Sequence, residues 1–145
     1  MVIWLIISAL SSYAINITPN FFCPYSTIYY LPMSRSYYAA IDNQAITTHR
    51  DTKSIEINDR KLTMYLDKFV KKPPTEISNF KQIDIRVYIQ ITLNKNEMKF
   101  ISLDKFGKYQ IGCNVYESSP ELIKVIEEYC PNLKFTRYEG LKPLR

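Results

Sequence analysis

The chain has 145 residues, 46% of them hydrophobic, with a formal net charge of +5 and a pI near 9.0. That length and apolar content suit one domain with a real core and exclude a disordered chain. The basic residues are scattered, with Arg60-Lys61 and Lys71-Lys72 the adjacent pairs, and only 3 glycines are present. Nucleic-acid faces need a denser basic cluster, and phosphate-cradling loops need glycines in patterns that do not occur here.

Residues 1–14, MVIWLIISALSSYA, carry no charge and open with an apolar run from Val2 to Ile7. Ser12-Tyr13-Ala14 places small residues where signal peptidase reads them, and the run is too short to span a bilayer. The expectation is a signal peptide cleaved before Ile15, no stable membrane span and a periplasmic or secreted product. Asn16-Ile17-Thr18 matches a glycosylation sequon, which matters only in a host that glycosylates.

Residues 15–58 form a Tyr-rich segment punctuated by Pro19, Pro24 and Pro32. It reads as mostly loop, with a short strand around Thr27 to Leu31. Ala45 to His49 and Ser54 to Asn58 are expected to pair as a hairpin across Arg50-Asp51-Thr52-Lys53.

Residues 59–145 read as an α+β unit. A helix is predicted from about Asp59 to Lys71, capped by Asn58 or Asp59, with Leu62, Leu66, Phe69 and Val70 at helical spacing. Pro73-Pro74 stops it. Ile83, Ile85, Val87, Ile89, Ile91 and Leu93 then alternate with polar residues without a break, the mark of a long strand with one buried and one wet face. Asn94 to Glu97 has turn composition, and Met98 to Leu103 should form the returning strand. A third strand is predicted from Lys108 to Val115. The last helix has Ser118 or Ser119 as cap, Pro120 at its first position and a Leu122, Val125, Ile126, Tyr129 stripe. Leu133 to Thr136 completes the expected elements as a short final strand. The expected fold is an antiparallel sheet of about four strands with two helices packed on one face.

Alternation puts Cys113 on the apolar side of its strand, and Cys130 falls at the edge of the last helix's stripe. A Cys113–Cys130 disulfide is therefore expected, contributing roughly 3 kcal/mol as a staple. Cys23 would remain a free thiol. No CxxC is present and His49 is the only histidine, so no zinc site, other metal site or cofactor is expected. Any Cys-His or Ser-His chemistry would have to use His49, which reads as a surface turn residue. Glu127-Glu128 are neighbours on a helix and point in different directions, as a solvated face does. The outward face of the long strand is more suggestive, because Arg86, Tyr88, Gln90 and Thr92 make a polar-aromatic row suited to a protein partner.

The segments LDKFVKK followed by prolines, RVYIQITLNKNE, PELIKVIEEYCPNLKF and YEGLKP, within roughly residues 60–145, resemble the C-terminal domain of TonB. The small periplasmic TonB-like proteins of Bacteroidetes are the nearer likeness. The departures are Asn96-Glu97 where the family has a turn glycine, an insertion from Phe106 to Glu117, and no match to the family's final strand, membrane anchor or Pro-rich spacer. The resemblance implies a soluble exported relative of the interaction domain rather than an energy transducer. The expected function is non-catalytic protein binding, by sheet-edge pairing or through Arg86, Tyr88, Gln90 and Thr92. The alternatives are a secreted inhibitor or immunity-type protein that blocks a partner through the Tyr-rich segment, and a small enzyme using Cys23 or His49. Partner identity and oligomeric state are not written in the sequence.

Overall fold

A computed structural model describes residues 22–137. The expected signal segment, the Asn16 sequon and the YEGLKP motif lie outside the described residues. The fold is α+β, with one antiparallel six-stranded sheet and three helices among the described residues. The elements run β1 (Tyr25–Tyr30), α1 (Asn43–Thr48), β2 (Lys53–Ile57), α2 (Arg60–Lys71), β3 (Ile85–Asn94), β4 (Glu97–Asp104), β5 (Tyr109–Ile111), β6 (Asn114–Tyr116) and α3 (Pro120–Tyr129). The sheet order is β2-β1-β3-β4-β5-β6. The expectation of about four strands and two helices was low by two strands and one helix.

The two long helices form where capping and periodicity agree. Asp59 caps α2 by accepting from the backbone N–H groups of Lys61 and Leu62, and Ser119 caps α3 by accepting from Leu122. Their apolar stripes cover the first face of the sheet. There Leu62, Leu66 and Phe69 of α2 and Leu122 and Ile126 of α3 pack with Ile28, Val87, Ile89, Ile91, Ile101, Leu103 and Tyr109. The buried Asp67 of α2 reaches Lys99 of β4 at 2.6 Å and Lys71 at 2.8 Å. Burial pushes the Asp67 carboxyl up, but the two ammonium groups outweigh it and hold it below the usual carboxylate range.

Four expected elements need correction. Residues 45–48 belong to a helix, not a hairpin strand. Asp42 caps α1 through Gln44 and Ala45, and Ile46 is buried in a second cluster with Leu31, Ile41 and Ile85. Residues 53–57 pair with β1 instead. The strand predicted from Lys108 to Val115 is two short strands, joined at Gly112-Cys113 with positive φ only at Gly112 (59°), as a type II′ hairpin turn requires. Leu133 to Thr136 is not a strand. Leu133 and Phe135 still enter the core, and the Phe135 N–H donates to Glu127 Oε1.

The fourth correction is the unbroken alternation of β3. Ile85 opposes Asp104 while Val87 opposes Leu103, so one extra residue of β3 bulges at Arg86. The bulge sends Ile83 and Ile85 to the second cluster, on the face opposite Val87 and Ile89.

Candidate functional site

The second face of the sheet is only partly covered. Register places Tyr29 of β1, Tyr88 and Gln90 of β3, and Met98, Phe100 and Ser102 of β4 on it together. The α1 helix covers one end, where Asn43 hydrogen-bonds the buried Ser102 hydroxyl. Beyond it the aromatic rings continue in a row. Tyr29 and Tyr88 lie 6.1 Å apart and tilted, and Tyr88 stacks on Phe100 at 5.5 Å with 10° between planes. Gln90 Nε2 lies 3.2 Å from Met98 Sδ. Phe100 is 40% exposed and Met98 52%, so the row ends in an open apolar shoulder. Burial, and then the nearby Tyr29, push the Tyr88 hydroxyl above its ordinary pKa.

Of the four residues expected to make this surface, two do. Tyr88 and Gln90 are half-buried and face outward in the row. Arg86 does not, because the bulge turns it inward and leaves it 4% exposed. Its guanidinium sits 4.6 Å above the Tyr37 ring, donates to Asp84 Oδ2 through Nε (3.1 Å) and Nη2 (2.6 Å), and donates through Nη1 to the Arg35 carbonyl at 3.1 Å. Thr92 is 5% exposed, between Tyr25 and Met98 in register, and its buried hydroxyl has no hydrogen-bond partner among the described residues. Sequence reasoning missed Tyr29, Met98 and Phe100. Alternation within β4 puts Met98 and Phe100 opposite Ile101 and Leu103, but the pairing that gathers three strands' rings into one row has no local signal.

A polar cluster gathers around Arg86. Asp51 binds Arg35 Nη1 at 2.9 Å, and the hydrogen bond from Arg35 holds the Asp51 carboxyl below its usual range. Tyr37 packs edge-on to His49 at 4.8 Å, and its hydroxyl is pushed up by burial and then by Asp51. His49 closes α1, and its Nδ1 accepts from the Asp51 N–H at 3.1 Å, so it is half-buried and engaged in a turn. These contacts clamp the loop of residues 32–42 and the end of α1 onto the bulge.

The cysteines are not bridged. Cys113 stands exposed in the β5–β6 turn and Cys130 is buried at the end of α3, so the expected Cys113–Cys130 disulfide is not formed. The hairpin turn carries Cys113 off the strand whose apolar side it was expected to share. Burial pushes the Cys130 thiol up. Cys23 is exposed just before β1, whereas His49 lies near Arg86, which pairs with Leu31 beyond the other end of β1. A six-residue strand of about 20 Å therefore separates the two residues offered for catalysis. Among the described residues no three His, Cys, Asp or Glu side chains gather to hold a metal ion, and no helix is long and apolar enough to cross a membrane. Comparison with protein-family models, curated proteins and solved structures returns no match.

Proposed function

We propose that this chain is a non-catalytic, exported protein–protein interaction module that holds its partner on the open half of its second sheet face. The observation that carries the reading is the Tyr29–Tyr88–Phe100 row with Gln90 and Met98 at its flank. Interface cores favour aromatics and methionine, and a ring already held by its neighbours loses little freedom on binding. Export to the periplasm or outside the cell rests on residues 1–14. The likeness to the TonB C-terminal domain is part of the same proposal, and the succession α2, β3, β4, α3 supports it. The β5–β6 hairpin falls within the Phe106–Glu117 insertion. The missing turn glycine is replaced by local chemistry, since the Asn96 N–H donates to Asn94 Oδ1 at 2.9 Å and no residue there has positive φ.

A photo-crosslinking residue tests the reading when placed at Phe100, with a second at Lys68 on α2 as control. Expressed in the native host, the Phe100 probe should trap one discrete partner, and the added change Tyr88→Asp should abolish the adduct. Adducts at both positions alike, or at neither, would sink it. The second reading, a secreted inhibitor or immunity-type protein, draws on Tyr25 and Tyr29, which bring the Tyr-rich segment onto this same face. Loss of a trapped partner's own activity on addition of the purified chain would favour it.

A further inference from the structure

The two edges of the sheet are finished differently. Beside β6, the segment around Ile77 pairs with Tyr116, the Ser78 N–H donates to the Val115 carbonyl at 2.8 Å, and the Glu117 N–H donates to the Glu76 carbonyl at 2.9 Å. That edge is capped. On the other side β2 is the outermost strand, and among the described residues nothing pairs with its outer edge.

Which groups β2 leaves free follows from one hydrogen bond. The Leu31 N–H donates to the Arg86 carbonyl at 2.9 Å, so Leu31 turns its backbone groups toward β3. Backbone direction alternates along a strand, so Tyr29 and Thr27 also face β3, while Tyr30, Ile28 and Ser26 face β2. Their register partners Lys53, Ile55 and Ile57 therefore spend their N–H and C=O groups on β1. Ser54 and Glu56 are left pointing their N–H and C=O groups outward, and both residues are exposed. Midway between them stands Ile55, 38% exposed and the one large exposed aliphatic of the strand.

We infer that β2 pairs with β2 of a second copy of this chain, antiparallel about a two-fold axis through Ile55, to make one continuous twelve-stranded sheet. A second copy fits the pattern of free groups. Two donors and two acceptors placed symmetrically about Ile55 are met in full by the same set turned through 180°. In that register Ser54 lies opposite Glu56 of the other copy, hydroxyl beside carboxylate. Ile55 meets Ile55 at a non-hydrogen-bonded position, where opposing side chains come closest. Neighbouring registers are worse. Centring on Glu56 sets two carboxylates directly against each other. Centring on Ser54 calls on the Thr52 N–H, which already donates to the His49 carbonyl at 3.0 Å. An axis perpendicular to the sheet also leaves both aromatic rows on the same side, so the dimer would present two copies of the partner surface together. The inference stands on β2 alone and does not depend on the partner reading.

Sedimentation equilibrium of the purified full chain, from a few to about 100 µM, reads the association, because one short strand pair makes a small interface. The weight-average mass should climb toward twice the monomer value. Ser54→Pro removes an outward donor without touching the β1 ladder, a place where an edge strand tolerates proline. It should sediment as monomer with an unchanged far-UV spectrum. In a Cys23→Ser, Cys113→Ser background, Ile55→Cys should oxidise to a covalent dimer while Ser54→Cys should not. The 54–54 separation in this register exceeds what a disulfide spans. A wild-type chain that stays monomeric throughout, whether its edge is open or filled by another segment or peptide, overturns the inference. So does a dimer that survives Ser54→Pro, or cross-linking equally efficient at 54 and 55.

Discussion

On the first face of the sheet Ile28, Val87, Ile89, Ile91, Ile101 and Leu103 keep strict alternation and disappear under two capped helices. On the second face the same strands carry a bulge, a buried arginine, a threonine hydroxyl with no partner among the described residues and a row of half-open rings. The first face is held mainly by apolar burial and dispersion, which are non-directional and tolerate similar shapes. The second is held at one end by directional polar contacts and left apolar and open at the other. A protein that needed only to fold would have little use for the second arrangement, and that contrast is why we propose the partner surface there.

The contrast can be tested by removing one piece from each side. The largest loss is expected on the first face, where Ile89→Ala opens a cavity at a fully buried site. It should cost about 3–4 kcal/mol in urea unfolding. Arg86→Met on the second face removes the clamp on the bulge but keeps the bulk. With Asp84 partly solvated, the cost should be about 2 kcal/mol. The loss should appear first as faster amide exchange in residues 35–51, ahead of global unfolding. A uniform loss would erase the distinction between the faces.

The smallest effect is electrostatic, and its sign depends on pH. Asp67 is held below its ordinary value, with the Lys71 and Lys99 bonds outweighing burial. Such a group stabilises the folded state above the unfolded carboxylate pKa of about 3.9, and that contribution is lost as pH falls through the lower folded value. Asp67→Asn should therefore cost about 1.5 kcal/mol at pH 7. The gap from wild type should narrow as pH drops below about 4. A gap that stays constant to pH 2 would mean the carboxylate is not the acting group.

Most of the first face was legible in the sequence. Asp59, Ser119 and Pro120 mark helix starts, and the apolar stripes of α2 and α3 sit where their periods put them. What escaped reading was decided by contacts distant in sequence. Ala45-Ile46-Thr47-Thr48 has the composition of a strand, and six residues make a marginal helix alone. The Asp42 cap and the burial of Ile46 against Leu31 and Ile85 make it helical. The bulge is invisible because Ile83 and Ile85 continue the alternation of β3 while facing a different cluster. Half of the expected contact row failed: Arg86 sits at that bulge, buried against Tyr37, and Thr92 is buried between Tyr25 and Met98. The Gly112-Cys113 turn escaped because the alternation around it reads as one strand.

The strand order also constrains when the fold can assemble. The strands β3 to β6 form a meander in which each pairs with its neighbour in sequence, so they can zip together locally. The β1 strand lies between β2 and β3, and Tyr25 must find Thr92. A chain emerging N-terminus first offers β1 only β2 until β3 has been made, and an isolated two-stranded pair is marginal in water. The Tyr-rich first third of the molecule therefore waits with its rings uncovered. It joins the sheet, with β1 paired between β2 and β3, only when the later-made strands close a long loop upon it.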